Sequence, residues 1–221
     1  KVPTVPGSPG IVKDVEEALK IANDISYPVL LKSVYGGGGR GIRLVNNDKE
    51  LREGFETVTS ESISAVGKSA IIVEKFLQKT RHIEYQMARD KHGNAVHIFE
   101  RECSIQRRNQ KLIEQTPSPT VDQKTRDKIG ELVVKASEAV DYTNLGTAEF
   151  LRADNGEFYF IEINARLQVE HPISELVSGL DFVKLQIDIA NGEPLPFKQK
   201  DLKMNGYAIE CRINAEDTFL D

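Results

Sequence analysis

Cysteine is scarce, positive charge is not in excess, and long apolar runs and internal repeats are missing; each shortage removes a class of protein. Cys103 and Cys211 stand amid charged residues without metal-ligand spacing, which fits a reduced, intracellular protein and leaves one disulfide open. A net charge of −5 argues against a general nucleic-acid or membrane surface, though it permits local basic clusters. No stretch approaches the roughly 20 apolar residues of a membrane span. No signal peptide is visible, and because the chain opens on Lys1 its true beginning is left open. The expected location is the cytoplasm, or the mitochondrial matrix in a eukaryote. What is present, 39% hydrophobic and 29% charged residues in 221, suits a soluble globular protein of one large or two small domains.

The most informative stretch runs from Gly146 to His171. Two runs rich in Phe, Tyr, Ile and Thr flank Asp154-Asn155-Gly156, and Asn-Gly favours a tight hairpin turn because both central residues need positive φ. A two-residue turn at Asn155-Gly156 pairs Glu149 with Glu162 and Thr147 with Asn164. Glu149, Glu162 and Asn164 then share one face with Leu151, Phe158 and Phe160. Opposed carboxylates on an apolar face repel and are costly to desolvate, so a hard cation such as Mg²⁺ or Mn²⁺ is expected between them. A solvated edge hairpin is the alternative, and a three-residue turn would slip the register. Arg166, Gln168, Glu170 and His171 follow within a few residues, adding polar groups where the fold should be closing.

Taken in order, 12–23 has helical periodicity and 29–31 is a short apolar strand closed by Lys32. Gly36 to Gly39 and Arg40-Gly41 lead into a second strand, 42–45. Strand, glycine loop and strand make a hairpin whose bare amides can wrap phosphate oxygens; a floppy linker is the other reading. No Lys-Ser/Thr pair or helix follows the glycines, so the loop is neither a Walker loop nor a dinucleotide fingerprint. A phosphate-covering lid fits better. A helix over 48–60 precedes strand 70–73, which ends in Glu74-Lys75-Phe76-Leu77, a hinge or adenine contact or simply a strand end. Residues 81–88 alternate as a strand with His82, Glu84 and Gln86 on one face, ordinarily the solvated side, and 95–102 return as its partner. The cationic run Cys103 to Lys111 reads as a loop and an anion site, being too short and too poor in aromatics for nucleic acid. A helix over 124–140 leads to the central hairpin; helical pieces at 173–180 and 182–190 break at Gly179, and 207–217 form a strand entering a polar loop.

These motifs together resemble biotin carboxylase, the ATP-grasp component of acetyl-CoA, propionyl-CoA and pyruvate carboxylases. The resemblance rests on G-G-G-G-R-G after Lys32, E-K-F-L at Glu74, R-H-I-E at Arg81, C-S-I-Q-R-R-N-Q-K at Cys103, E-I-N-A-R-L-Q-V-E-H at Glu162 and E-C-R-I-N-A-E-D at Glu210. It implies an α+β ATP-grasp fold, with a lid subdomain over 1–77 and an antiparallel-sheet core over 78–221, in a chain lacking the family's N-terminal domain and C-terminal end. By the same resemblance ATP is contacted by Lys32, Gly38, Gly39, Glu74, Lys75, Phe76, Leu77, His82, Gln106 and Asn109. Glu149, Glu162 and Asn164 match the metal ligands. Lys111, Arg166, Gln168, Val169 and Glu170 match the bicarbonate site, and Arg212 the arginine that steadies the biotin enolate. Glu170, Arg166, Arg212 and Lys111 carry the catalytic roles. The implied partners are ATP, bicarbonate, a biotin carboxyl carrier and a carboxyltransferase component, in a homo-oligomer without nucleic acid or membrane. Asn109 stands where some members have His, Tyr35 replaces a fifth glycine, and Ala165 takes a place often held by Thr. Two other readings remain: another ATP-grasp ligase resembling carbamoyl-phosphate synthetase, and a nucleotide-binding module inactive because truncated.

Overall fold

The computed structural model describes residues 2–35 and 41–215, so the expectations for Gly36 to Arg40, including Gly38 and Gly39, and for 216–221 lie outside the described residues. The chain divides into two compact units. One comprises Thr4–Lys79 together with Arg108–Gln110; the other is built from Thr80–Arg107 and the chain from Lys111 onward, with the first three residues.

In the first unit, α1 (Val15–Ile25) starts at Asp14, whose carboxylate caps the Glu17 amide. Strands β1 (Val29–Ser33), β2 (Ile42–Val45) and β3 (Ile71–Lys75) form an antiparallel sheet in the order β2-β1-β3. The hairpin expected around the glycines is therefore present in its two strands. Helix α2 (Asp48–Val66) is capped by Asn47 and closed by Gly67 at φ +70. It outruns the expected 48–60 because the Ser-rich stretch is held by tertiary contacts: Ser62 Oγ bonds Ser33 Oγ and the Lys68 carbonyl. Ala18, Ala22, Leu31, Val45, Leu51 and Val73 form the core between helices and sheet.

The second unit is a six-stranded sheet in the order β8-β7-β4-β5-β6-β9. Its strands are β4 (Arg81–Arg89), β5 (Ala95–Arg107), β6 (Gln110–Thr116), β7 (Asn144–Arg152), β8 (Phe158–Asn164) and β9 (Ala208–Cys211). The segment expected as a loop at Cys103 is instead strand. β5 runs through it to Arg107, then Arg108 and Asn109, both left-handed at φ +52 and +64, turn the chain into β6. Adjacent positive φ values are the signature of a two-residue hairpin turn, which asparagine tolerates. Helix α3 (Gln123–Ala139) covers one sheet face, packing Ile129 and Val133 on Ile83, Tyr85, Met87 and Phe150. A bidentate pair between buried Arg126 and Glu100 pins it there. On the other face, α5 (Phe182–Ala190) packs Phe182 and Leu185 near Ile98 and Leu145. Helix α4 (His171–Ser178) packs Ile173 and Val177 with Ala208. No described helix is long and apolar enough to cross a membrane.

The central hairpin corrects one expectation and keeps its consequence. Its loop has three residues, Asp154-Asn155-Gly156, with Gly156 at φ +85, so β7 and β8 pair near the turn as Arg152 with Phe158 and Phe150 with Phe160. A bulge then adds one residue to β8, and beyond it Glu149 faces Glu162 and Thr147 faces Asn164 as expected. Because of that bulge, Phe158 and Phe160 lie not beside the carboxylates but on the opposite face, edge-on to Phe150.

Helix α3 contains a position where glycine is required by space. A Cβ on Gly130 would lie 2.4 Å from His97 Nε2, and that buried ring is wedged between Tyr85 and Phe99. Alanine gains about 1 kcal/mol of helix propensity, whereas overpacking costs about 1–3 kcal/mol. The clash is with a pinned ring, so the cost wins. Gly130→Ala is expected to lower the melting temperature by about 2–8 °C in a thermal denaturation scan.

Candidate functional site

The sheet face beneath α4 carries a row of charge across four strands. Register places Arg101 opposite Glu84, Glu84 opposite Glu149, and Glu149 opposite Glu162. The polar row His82, Glu84 and Gln86 was expected to be solvated, but Glu84 and Gln86 are 0% exposed. Alternation shows which residues share a face and says nothing of what covers it; α4 and the segment before it do the covering.

Lys111 on β6 lies at the centre. Its ammonium donates to Glu84, to Glu149 Oε1 at 2.9 Å and to Glu170 Oε1 at 2.6 Å. Burial alone would lower its pKa, but the facing carboxylates, Glu84 foremost, raise it above the ordinary lysine value. Arg101, 0% exposed, backs Glu84 from the far side: its Nε donates to Glu84 Oε1 at 2.6 Å. Its other nitrogens reach Gln86, Ser174, Thr147 and Gln168. Burial opposes ionisation of Glu84, yet Arg101 and Lys111 outweigh it and hold its pKa below the usual range.

Glu149 collects the most varied set of neighbours. Gln168 Nε2 donates to its Oε1 at 2.9 Å and Asn164 Nδ2 at 3.0 Å. His82 Nε2 lies 3.0 Å from its Oε2, at an angle outside hydrogen-bond geometry. Burial would raise its pKa, but His82 and Lys111 bring it down to about 2. Asn164 Nδ2 also reaches Glu162 Oε1 at 3.3 Å, so one amide spans the two carboxylates expected to grip a cation. Arg166, exposed, donates to Asn164 Oδ1 at 3.2 Å. Arg212 completes the set: its terminal nitrogen donates to Glu170 Oε2 at 2.9 Å and its Nε to Glu114 Oε1 at 2.7 Å. Val169 is exposed beside this cluster in sequence. Two hard carboxylate oxygens and an amide suit Mg²⁺, and the basic groups around Glu170 suit a small anion.

The remaining expected residues are placed as follows. In the first unit Lys32 on β1 pairs with Glu74 on β3, and Lys75 Nζ donates to the carbonyls of Ser26 and Tyr27. The Phe76 amide bonds the Pro28 carbonyl, tying the Glu74 to Leu77 segment to β1. Gln106 Nε2 donates to the Cys103 carbonyl, and Asn109 is exposed in its turn. From the sequence, Arg101, Ser174 and Glu114 go unnoticed, Glu84 and Gln86 enter only as a polar row read as solvated, and Thr147 only as the partner of Asn164. The one available signal was an arginine flanked by glutamates directly after the apolar Ile98-Phe99, in Phe99-Glu100-Arg101-Glu102.

Removing Arg101 leaves the buried Glu84 with Lys111 alone as its hydrogen-bonded cation and takes a partner from Gln86, Ser174, Thr147 and Gln168, and breaking a buried pair costs about 3–5 kcal/mol. Arg101→Met is expected to lose that much in urea denaturation. Glu149, ionised with a folded pKa of about 2, contributes stability that is full above the unfolded carboxylate pKa of about 4.3 and is lost as pH falls from there through the folded value. Denaturation midpoints between pH 5 and 3 should therefore drop more steeply for the wild-type chain than for Glu149→Gln.

Comparison with known proteins agrees with this geometry. Residues 1–198 match the family model described as Carbamoyl-phosphate synthase L chain, ATP binding domain. The 2-oxoglutarate carboxylase small subunit of Hydrogenobacter thermophilus is 53% identical over 98% of this chain and 46% of its own length. A biotin carboxylase of Nostoc is 50% identical over 98% of this chain and 48% of its own. The crystal structure of the Hydrogenobacter thermophilus 2-oxoglutarate carboxylase biotin carboxylase domain dimer, with MgADP, ADP and bicarbonate, superimposes with a TM-score of 0.95 at 52% identity. It is covered over 48% of its chain, and 99% of this one. The chain thus spans about half the length of the curated relatives it matches. Its fold is that of ATP-grasp domains, α+β with antiparallel sheets, and the chain belongs to the carbamoyl-phosphate synthase L chain ATP-binding domain family.

Proposed function

We propose that this chain carries the nucleotide, metal and bicarbonate site of a biotin carboxylase, which uses ATP and bicarbonate to carboxylate biotin held on a carrier. The observation that supports this most directly is the Lys111 ammonium, which bonds at once to Glu149 of the opposed carboxylate pair and to Glu170. A metal-binding group and a candidate base are thereby one cation apart.

In this reading residues 1–77 form the lid and 78–221 the core. Lys32 of the lid contacts phosphate, Glu74 to Leu77 hold the adenine, and the lid glycines 38 and 39 close over the phosphates. His82, Gln106 and Asn109 line the same nucleotide. Glu149 and Glu162 hold Mg²⁺, or Mn²⁺ in its place, and Asn164 joins them when its amide turns to present Oδ1. The bound ion supplies neutralisation of charge on the nucleotide's phosphate oxygens. Arg166, Lys111, Gln168 and the backbone at Val169 hold bicarbonate, and Glu170 takes its proton. The resulting oxyanion attacks the γ-phosphorus, ADP leaves, and carboxyphosphate forms. It breaks down to CO₂ and phosphate beside biotin; the released phosphate takes the ureido proton, Arg212 meets the enolate oxygen so formed, and the ureido nitrogen adds to CO₂ to give carboxybiotin. Lid closure excludes water from the labile intermediate.

The partners that follow are a biotin carboxyl carrier and a carboxyltransferase component. A second copy of the chain joins them, as in the dimeric relative. The cytoplasm is the proposed location. Glu170→Gln in the intact protein is expected to abolish bicarbonate-dependent ATP hydrolysis while nucleotide binding, measured by calorimetry, survives. Such a base contributes 10²–10⁴-fold, so retention of more than about a tenth of the activity removes Glu170 from the role. Turnover that needs bicarbonate but ignores biotin would point instead to a carbamoyl-phosphate synthetase type of reaction.

A further inference from the structure

Glu114 on β6 is fully buried at 0% exposure, yet it has a single side-chain partner among the described residues. Its Oε1 accepts the Arg212 Nε–H at 2.7 Å, while its Oε2 is buried without a hydrogen bond. Directly across the β6–β9 pair stands Glu210, a second carboxylate with a buried, unbonded Oε2. Two opposed carboxylates in one strand pair repel, and each unpaired buried oxygen adds a desolvation cost. Burial accordingly pushes the Glu114 carboxyl up, against the pull of Arg212. An apolar pair at these positions would pack between the strands at lower cost. Stability therefore gives no reason for Glu114 to be there.

Its geometry does. The backbone amide of Arg212 is tied to the Leu112 carbonyl, and its guanidinium is held at two of its nitrogens by two different carboxylates, by Glu114 at Nε and by Glu170 at one terminal nitrogen. A guanidinium is planar and has five N–H donors, so two fixed contacts set its plane and leave three donors to present. Glu170 alone would leave the group free to swivel about a single bond. Glu114 lies on the strand that also carries Lys111, and Arg212 and Lys111 share Glu170 as an acceptor, which ties the clamped guanidinium to the centre of the site.

We propose that Glu114 is the positioning residue of Arg212: by accepting the Nε–H it fixes the plane in which the guanidinium presents its remaining N–H groups to an anionic oxygen of the substrate. This deepens the proposed function and rests on it for the identity of that oxygen, the enolate of biotin.

The test uses the full-length protein and the cycle of Glu114→Gln, Arg212→Met and the double variant, read as biotin-dependent phosphate release from ATP. Glutamine keeps the shape and weakens the acceptor; misaiming a reacting group by about 1 Å costs on the order of 10²-fold. Glu114→Gln is expected to lower kcat about 10–100-fold with the KM for ATP changed less than about threefold. The double variant should be no slower than Arg212→Met alone, because the contact is already gone. A Glu114→Gln rate within threefold of wild type, or a double variant whose loss is the product of the two single losses, overturns the proposal. A second readout is independent of activity: hydrogen exchange of the Arg212 Nε–H by NMR, assigned from its disappearance in Arg212→Met. Slow exchange in the wild type that becomes fast in Glu114→Gln supports the clamp, and equal rates overturn it. A wild-type protein that releases no phosphate in response to biotin refutes the proposed function, and the exchange measurement still decides the role of Glu114.

Discussion

The buried ammonium of Lys111 is the interaction on which the rest of the site depends. Glu84, Glu149 and Glu170 come from two strands and the segment before α4, and they converge on that one nitrogen. Burial opposes ionisation of Glu84 and of Glu149, and a cation between them is what offsets it. Lys111 is that cation, with Arg101 behind Glu84 and Arg212 beside Glu170. The result is a patch in which opposite charges are balanced and held in place before any ligand arrives. Preorganisation of this kind is what electrostatic catalysis requires.

The same balance explains why the face is both costly and specific. Arg101 contributes hydrogen bonds to β4, β7, α4 and Gln168 at once, so the covering helix can dock only where Ser174 and Gln168 meet the guanidinium. The opposite face, under α3, is by contrast mainly an apolar core, crossed by the bidentate pair of Arg126 with Glu100 and the pair of Arg81 with Glu102. One side of the sheet holds the fold and the other holds the chemistry. Aromatic residues near the turn of the central hairpin were sorted to the first side by the bulge in β8, which kept the second side free for Glu149, Glu162 and Asn164.

Much of this was legible in the chain, for reasons that differ from element to element. The hairpin at Asn155-Gly156 announced itself through turn chemistry, and the opposition of Glu149 to Glu162 was reached from it, although through a loop one residue too short. A three-residue loop and a bulge each shift the register by one and cancel, a coincidence that pairing arithmetic does not reveal. The strand nature of Cys103 to Arg107 was hidden by its charge: a cationic run looks like a loop until Lys111 is seen to point at three glutamates. The polar row at His82, Glu84 and Gln86 looks solvated from local sequence because its cover, Gln168 and Ser174, comes from far along the chain. Arg101 was passed over for the same reason. Short-range patterns report faces, and long-range contacts decide which face is buried.

The most direct test is the titration of the Lys111 side chain itself, followed by NMR on protein labelled at lysine and assigned with Lys111→Met. If the three carboxylates hold the ammonium as described, its midpoint lies above the ordinary lysine value of about 10.4. A midpoint at or below that value would mean that burial, not the carboxylates, governs the group, and the charge balance at the centre of the site would not exist.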